Sequence, residues 1–68
     1  MNEEVLNMSV RKFLKKLGVQ SQRELEQAIR EAVRTGRLQG KERLPVRAQI
    51  SLPAVGLTFE VDGTIELA

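Results

Sequence analysis

Between Val46 and Leu67 the apolar residues recur at every second position. Val46, Ala48, Ile50 and Leu52 alternate with Arg47, Gln49 and Ser51; Leu57, Phe59 and Val61 alternate with Thr58 and Glu60; Ile65 and Leu67 alternate with Thr64 and Glu66. A period of two marks a strand with one buried face. Residues 1–38 carry a helical spacing instead, so the chain switches once from helix to sheet. This predicts a compact α+β domain and names no activity.

In the helical half, Leu6, Val10, Phe13, Leu14 and Leu17 fall on one stripe, separated by three, four and seven positions. Glu3 and Glu4 near the start and Lys15 and Lys16 near the end complement a helix dipole. Gly18 reads as a stop. Ser21-Gln22-Arg23-Glu24 is a capping box that opens a second helix. Leu25, Ala28, Ile29, Ala32 and Val33 form its stripe, and Glu26 and Arg30 stand four apart in the favourable order. Gly36 ends it. The expectation is a helical hairpin, with helices over about 3–17 and 22–35. Residues 37–45 form a polar connector with Leu38 and Leu44 as apolar anchors.

In the sheet half, Pro53-Ala54-Val55-Gly56 is a four-residue loop if Leu52 opposes Leu57. Ile50 then faces Phe59 and Ala48 faces Val61. Asp62-Gly63 invites a second turn. A two-residue turn there would mix the faces, whereas a three-residue loop of Val61, Asp62 and Gly63 puts Phe59 opposite Ile65 and Leu57 opposite Leu67. The predicted fold is therefore ααβββ. An N-terminal helical hairpin (1–36) and the connector (37–45) precede a three-stranded antiparallel meander (46–68), in one domain of 68 residues. The two helices are expected to cover the apolar face of the sheet, with Phe13 in the core.

Composition limits what such a domain can do. A chain this short buries only about 60% of its unfolded surface. It has no Cys and no His, so neither a disulfide nor an ordinary zinc site reinforces it. The same absence removes the usual general bases, thiol nucleophiles and soft metal ligands. Ser9, Ser21 and Ser51 have no His to activate them, Asp62 reads as a turn residue, and Glu60 and Glu66 lie on the solvent face of the sheet. The five glycines make no phosphate-binding loop. No enzyme, cofactor or metal is expected. The opening residues do not have the pattern of a signal peptide, and no stretch reaches the roughly 20 apolar residues of a membrane span. The expected location is the cytoplasm.

Two binding functions remain. The first is self-association or docking on another protein. Met1, Val5 and Met8 lie off the main stripe of the first helix, and 68 residues can hardly bury both sides of it. The competing expectation packs Val5 and Met8 under the connector. The second function is nucleic-acid binding. Residues 11–23 carry five bases and no acid, and residues 34–47 carry five bases against Glu42. Arg11, Lys12, Lys15, Lys16, Arg34 and Arg37 are the candidate anion contacts. Phe13, Leu17, Gly18 and Val19 match the turn of a helix-turn-helix pair, and the hairpin could serve as a wing. Leu14 stands where that motif wants a small residue, and Glu24, Glu26 and Glu31 on the second helix repel phosphates. Protein interaction is the favoured reading.

The run from Met1 to Leu14, then Gly18-Val19, Ser21 to Glu24 and the closing Val61-Asp62-Gly63, resembles a family of short, uncharacterised bacterial proteins. The resemblance covers nearly the whole chain. It implies a stand-alone bacterial protein of unknown function and carries over no active residue.

Overall fold

The computed structural model describes residues 1–68. It contains one long helix, α1 (Glu3–Arg34), and two strands, β1 (Arg43–Leu52) and β2 (Leu57–Glu66), joined by a 3-10 turn over Pro53–Val55. The fold is α+β, with one helix where two were expected and two strands where three were expected. The residues divide into two units, Met1–Arg37 and Leu38–Ala68.

In the first unit, the helix begins where Asn2 caps it. Its Oδ1 accepts the amide of Glu4 at 3.0 Å and that of Val5 at 3.2 Å. Two of the amides that open a helix without a backbone partner are thereby satisfied. Glu3 and Glu4 in the first turn and Arg34 in the last suit the dipole. At the far end the Thr35 amide reaches the Glu31 carbonyl at 3.0 Å, and the Gly36 amide reaches Val33 at 3.2 Å. Gly36 has φ 84°, a left-handed conformation that glycine adopts at no steric cost. It ends the helix as the sequence predicts.

Gly18 does not end anything. The helix runs through it, and its φ is not positive. A mid-helix glycine costs only about 1 kcal/mol relative to alanine. Against that cost stands an apolar seam that crosses Gly18 without losing phase. Val10, Leu14, Leu17, Ser21, Leu25, Ala28 and Ala32 are spaced by three or four throughout. A capping box needs a non-helical residue at Ser21, which here lies inside α1, so that box does not form. Glu26 and Arg30 do pair, at 2.7 Å.

In the second unit, β1 and β2 form a two-stranded antiparallel sheet. The first turn is as the alternation predicts. Leu52 pairs with Leu57, Ile50 with Phe59 and Ala48 with Val61. Pro53 opens the turn and Gly56 closes it at φ 65°. The second turn is absent. β2 continues through Asp62-Gly63, which pair with Arg47 and Val46, and on to Ile65 and Glu66, which pair with Leu44 and Arg43. The three-residue loop and the third strand do not exist. The physical reason lies in the phase. Leu57, Phe59, Val61, Gly63, Ile65 and Leu67 hold one parity, and a longer β1 starting at Arg43 gives each paired position through Glu66 a partner. Ten ladder pairs then form from a single turn.

The expected core under two helices is also overturned. No residue of the chain is buried. Phe13 is 54% exposed and Phe59 42% exposed. The stripe on α1 and the face of the hairpin are both apolar and both open.

Candidate interaction surfaces

The hairpin sorts its side chains cleanly. On one face lie Leu44, Val46, Ala48, Ile50 and Leu52 of β1 and Leu57, Phe59, Val61 and Ile65 of β2, with Gly63 opposite Val46. On the other lie Arg43, Arg47, Gln49 and Ser51 opposite Glu66, Asp62, Glu60 and Thr58. Arg47 donates to Asp62 at 2.6 Å and lies 2.9 Å from Glu60; Arg43 lies 3.2 Å from Glu66. Asp62 is thus a mid-strand ion-pair partner and not a turn residue. Glu60 and Glu66 sit on the polar face, as alternation predicts, each beside an arginine. Such exposed pairs contribute little to stability but fix which face meets water.

A connector of residues 35–42 precedes the hairpin, so Leu44, expected as a connector anchor, is a strand residue. The Glu42 carboxylate gathers three backbone amides, from Gln39 at 2.8 Å, Gly40 at 3.0 Å and Lys41 at 3.1 Å. The Gln39 amide in particular holds the Glu42 carboxyl below its ordinary pKa. Sequence reading missed this cluster; the signal available was an acid two residues after Gly40.

On α1, Val5 and Met8 stand three apart on one side of the first turns, 59% and 70% exposed, and Met1 precedes the helix. At about 100° per residue, the seam from Val10 to Ala32 lies on the opposite side. It is the longer apolar surface. Four bases, Arg11, Lys12, Lys15 and Lys16, have no acid within ion-pair distance, and neither does Arg37, whereas Arg34 pairs with Glu31. Lys12, Lys15, Lys16 and Arg23 border one shallow depression on the helix. No turn interrupts these residues, so they are not the first helix of a helix-turn-helix pair. In the C-terminal half of the helix Glu26 pairs with Arg30 and Glu31 with Arg34. Gln22 donates to Glu26 at 2.8 Å, and Gln22 and Arg30 together lower the Glu26 pKa; Arg34 lowers that of Glu31.

No group of three or more His, Cys, Asp and Glu residues is placed to hold a metal ion. No helix is long and apolar enough to cross a membrane.

The chain belongs to a family of unknown function, DUF6494. The family model matches residues 1–68, the full extent of the helix, connector and hairpin. This agrees with the resemblance read from the opening and closing motifs. No curated protein and no solved structure matches the chain.

Proposed function

We propose that this protein is a small non-enzymatic interaction module of the bacterial cytoplasm, whose fold is completed by a protein that covers its apolar faces. One observation carries this reading. A sheet of two strands has nine apolar side chains on one face, a helix of 32 residues has an apolar seam, and no residue is buried. Each is a single layer, and stable domains bury such faces between layers. An isolated two-stranded hairpin is marginal in water. Contiguous exposed apolar surface on a soluble chain marks a site of protein contact.

The test is co-expression of a tagged and an untagged copy in the producing cell, followed by capture on the tag. The reading expects stoichiometric recovery of a protein, either the untagged copy or another chain. Recovery must fall when Ile50 and Phe59 are both replaced by Lys or when Leu14 and Leu17 are both replaced by Lys. Recovery of neither a copy nor a partner overturns the reading.

A second reading rests on the unpaired bases of α1. Arg11, Lys12, Lys15 and Lys16 present four charges within six residues with no acid to neutralise them. That suits phosphate contact without sequence readout. Titration with random duplex DNA at low and moderate salt decides it. Binding that weakens steeply with salt supports it, and no binding at low salt removes it.

A further inference from the structure

We infer that α1 binds the phosphate backbone of a duplex nucleic acid on the side opposite its apolar seam, along a stripe formed by Lys12, Lys15, Lys16 and Arg23. This deepens the phosphate-contact reading above: it moves the contact from a basic run to one helix face, adds Arg23 and leaves out Arg11. It also rests on the first reading, in which a protein covers the seam.

The stripe follows from helical geometry. At about 100° per residue, Lys15, Lys16 and Arg23 all lie within about 60° of Lys12, and Arg30 and Arg34 continue the line. Leu14, Leu17, Ser21, Leu25 and Ala28 lie about 140–220° from Lys12, so the stripe runs along the back of the seam. Of the bases of α1, only Arg11 lies elsewhere. The acids are sorted differently. Residues 5–23 contain none, Glu24 and Glu31 stand about 100–120° to one side, and Glu26 alone falls on the line. A face that serves only to stay in solution intersperses both signs. Lys12, Lys15, Lys16 and Arg23 are exposed and in no ion pair, whereas Glu26 holds Arg30 at 2.7 Å and Glu31 pairs with Arg34. Two shallow depressions, one bordered by Lys12, Lys15 and Lys16 and the other by Glu26 and Arg30, meet at Val19 and Arg23.

The partner follows from what the stripe offers and what it lacks. Its four free charges extend over about 16.5 Å of helix, and a duplex presents one negative charge per about 1.7 Å of its axis. Phe13 lies about 100° from Lys12, and no aromatic stands on the stripe. Unpaired bases would therefore find nothing to stack on, which favours a duplex over a single strand. An anionic bilayer is the competing surface. It would take the seam into its acyl boundary and so displace the protein that covers it. A duplex uses the stripe and leaves the seam to that protein.

The experiment titrates the full chain with random duplex DNA over about 50–200 mM salt and, in parallel, with phosphatidylglycerol vesicles. Circular dichroism confirms that each variant keeps its helix. Four phosphate contacts give a slope of about −3.6 in log K against log salt, an affinity loss of about 150-fold across that range. Lys16→Gln with Arg23→Gln should halve the slope to about −1.8, for a loss of about 12-fold. Arg11→Gln should leave the slope as it is. Glu26→Gln frees Arg30 and should steepen the slope by about 0.9. Glu3→Gln makes the same change in net charge on the seam side and should not. No binding at low salt removes the stripe and the phosphate-contact reading together. Binding that Arg11→Gln weakens as much as Lys16→Gln, or that the Lys16, Arg23 double variant keeps in full, overturns the stripe and leaves phosphate contact standing. Binding to the vesicles with none to the duplex overturns nucleic acid as the partner.

Discussion

Replacing Gly18 by alanine separates a continuous helix from a broken one by the sign of the effect. In the structure Gly18 lies in the middle of α1, its φ is not positive, and a Cβ placed on it meets nothing within 4 Å. Alanine there relieves the entropy that glycine loses in a helix, about 1 kcal/mol. For a domain of this size that raises the melting midpoint by roughly 4–8 °C. Had the chain turned at Gly18 in a left-handed conformation, alanine would cost about 1–2 kcal/mol instead. Gly36 supplies the internal comparison. Its φ of 84° is left-handed, and open space around its Cβ does not relieve that strain. Gly36→Ala should therefore lose about 1–2 kcal/mol. The assay is thermal melting followed by circular dichroism at 222 nm, with both variants at the same chain concentration because association shifts the midpoint. The two midpoints should straddle wild type. A Gly18→Ala variant that melts below wild type, with reduced helicity, would refute the continuous helix.

Asn2→Ala should cost about 1 kcal/mol by removing the acceptor of two helix-start amides, and Asn2→Asp should be far milder; equal losses in urea melts would show that the cap is not formed. Ser21→Ala should be neutral or stabilise by up to about 0.5 kcal/mol, since Ser21 is interior to the helix, and a loss near 1 kcal/mol would restore the capping box. Glu42→Gln should lower the urea midpoint at pH 7, because a carboxylate gathers the Gln39, Gly40 and Lys41 amides better than a neutral amide. The folded Glu42 pKa is lowered from 4.5, so the wild-type advantage is full above that value and fades as pH falls through the folded pKa. A difference that persists unchanged at pH 2 would rule the carboxylate out as its source. Glu26 and Glu31 are lowered in the same direction by Gln22 with Arg30 and by Arg34, so helicity at 222 nm should also decline below pH 4.5.

The hairpin was legible in the sequence as far as its first turn. Leu52 and Leu57 flank a four-residue loop with Pro at its start and Gly at its end, and register follows from matching apolar parity outward from there. Asp62-Gly63 is a strong local turn signal, yet the phase of the strand runs through it unbroken. Val61, Gly63 and Ile65 have the same parity, and Leu44 stands ready opposite Ile65. A glycine in a strand without a break in phase is a ladder position with no side chain. Gly18 misled in the same way. Gly18 and the Ser21 box are each plausible punctuation, yet Leu14, Leu17, Ser21 and Leu25 carry the seam past both. In each half the periodic signal, summed over many residues, outweighed a local cue of about 1 kcal/mol.

The error about the core has a different origin. Period and parity say which side of an element is apolar: the stripe through Val10, Leu14 and Leu17, and the face through Ile50 and Phe59. They do not say which chain supplies the opposing layer. Folding the apolar residues of 68 positions against one another requires enough separate elements to make two layers. A second helix and a third strand would meet that requirement, and the chain has neither. Once α1 is continuous and β2 is continuous, three elements are all that remain, and Phe13 and Phe59 stay in water.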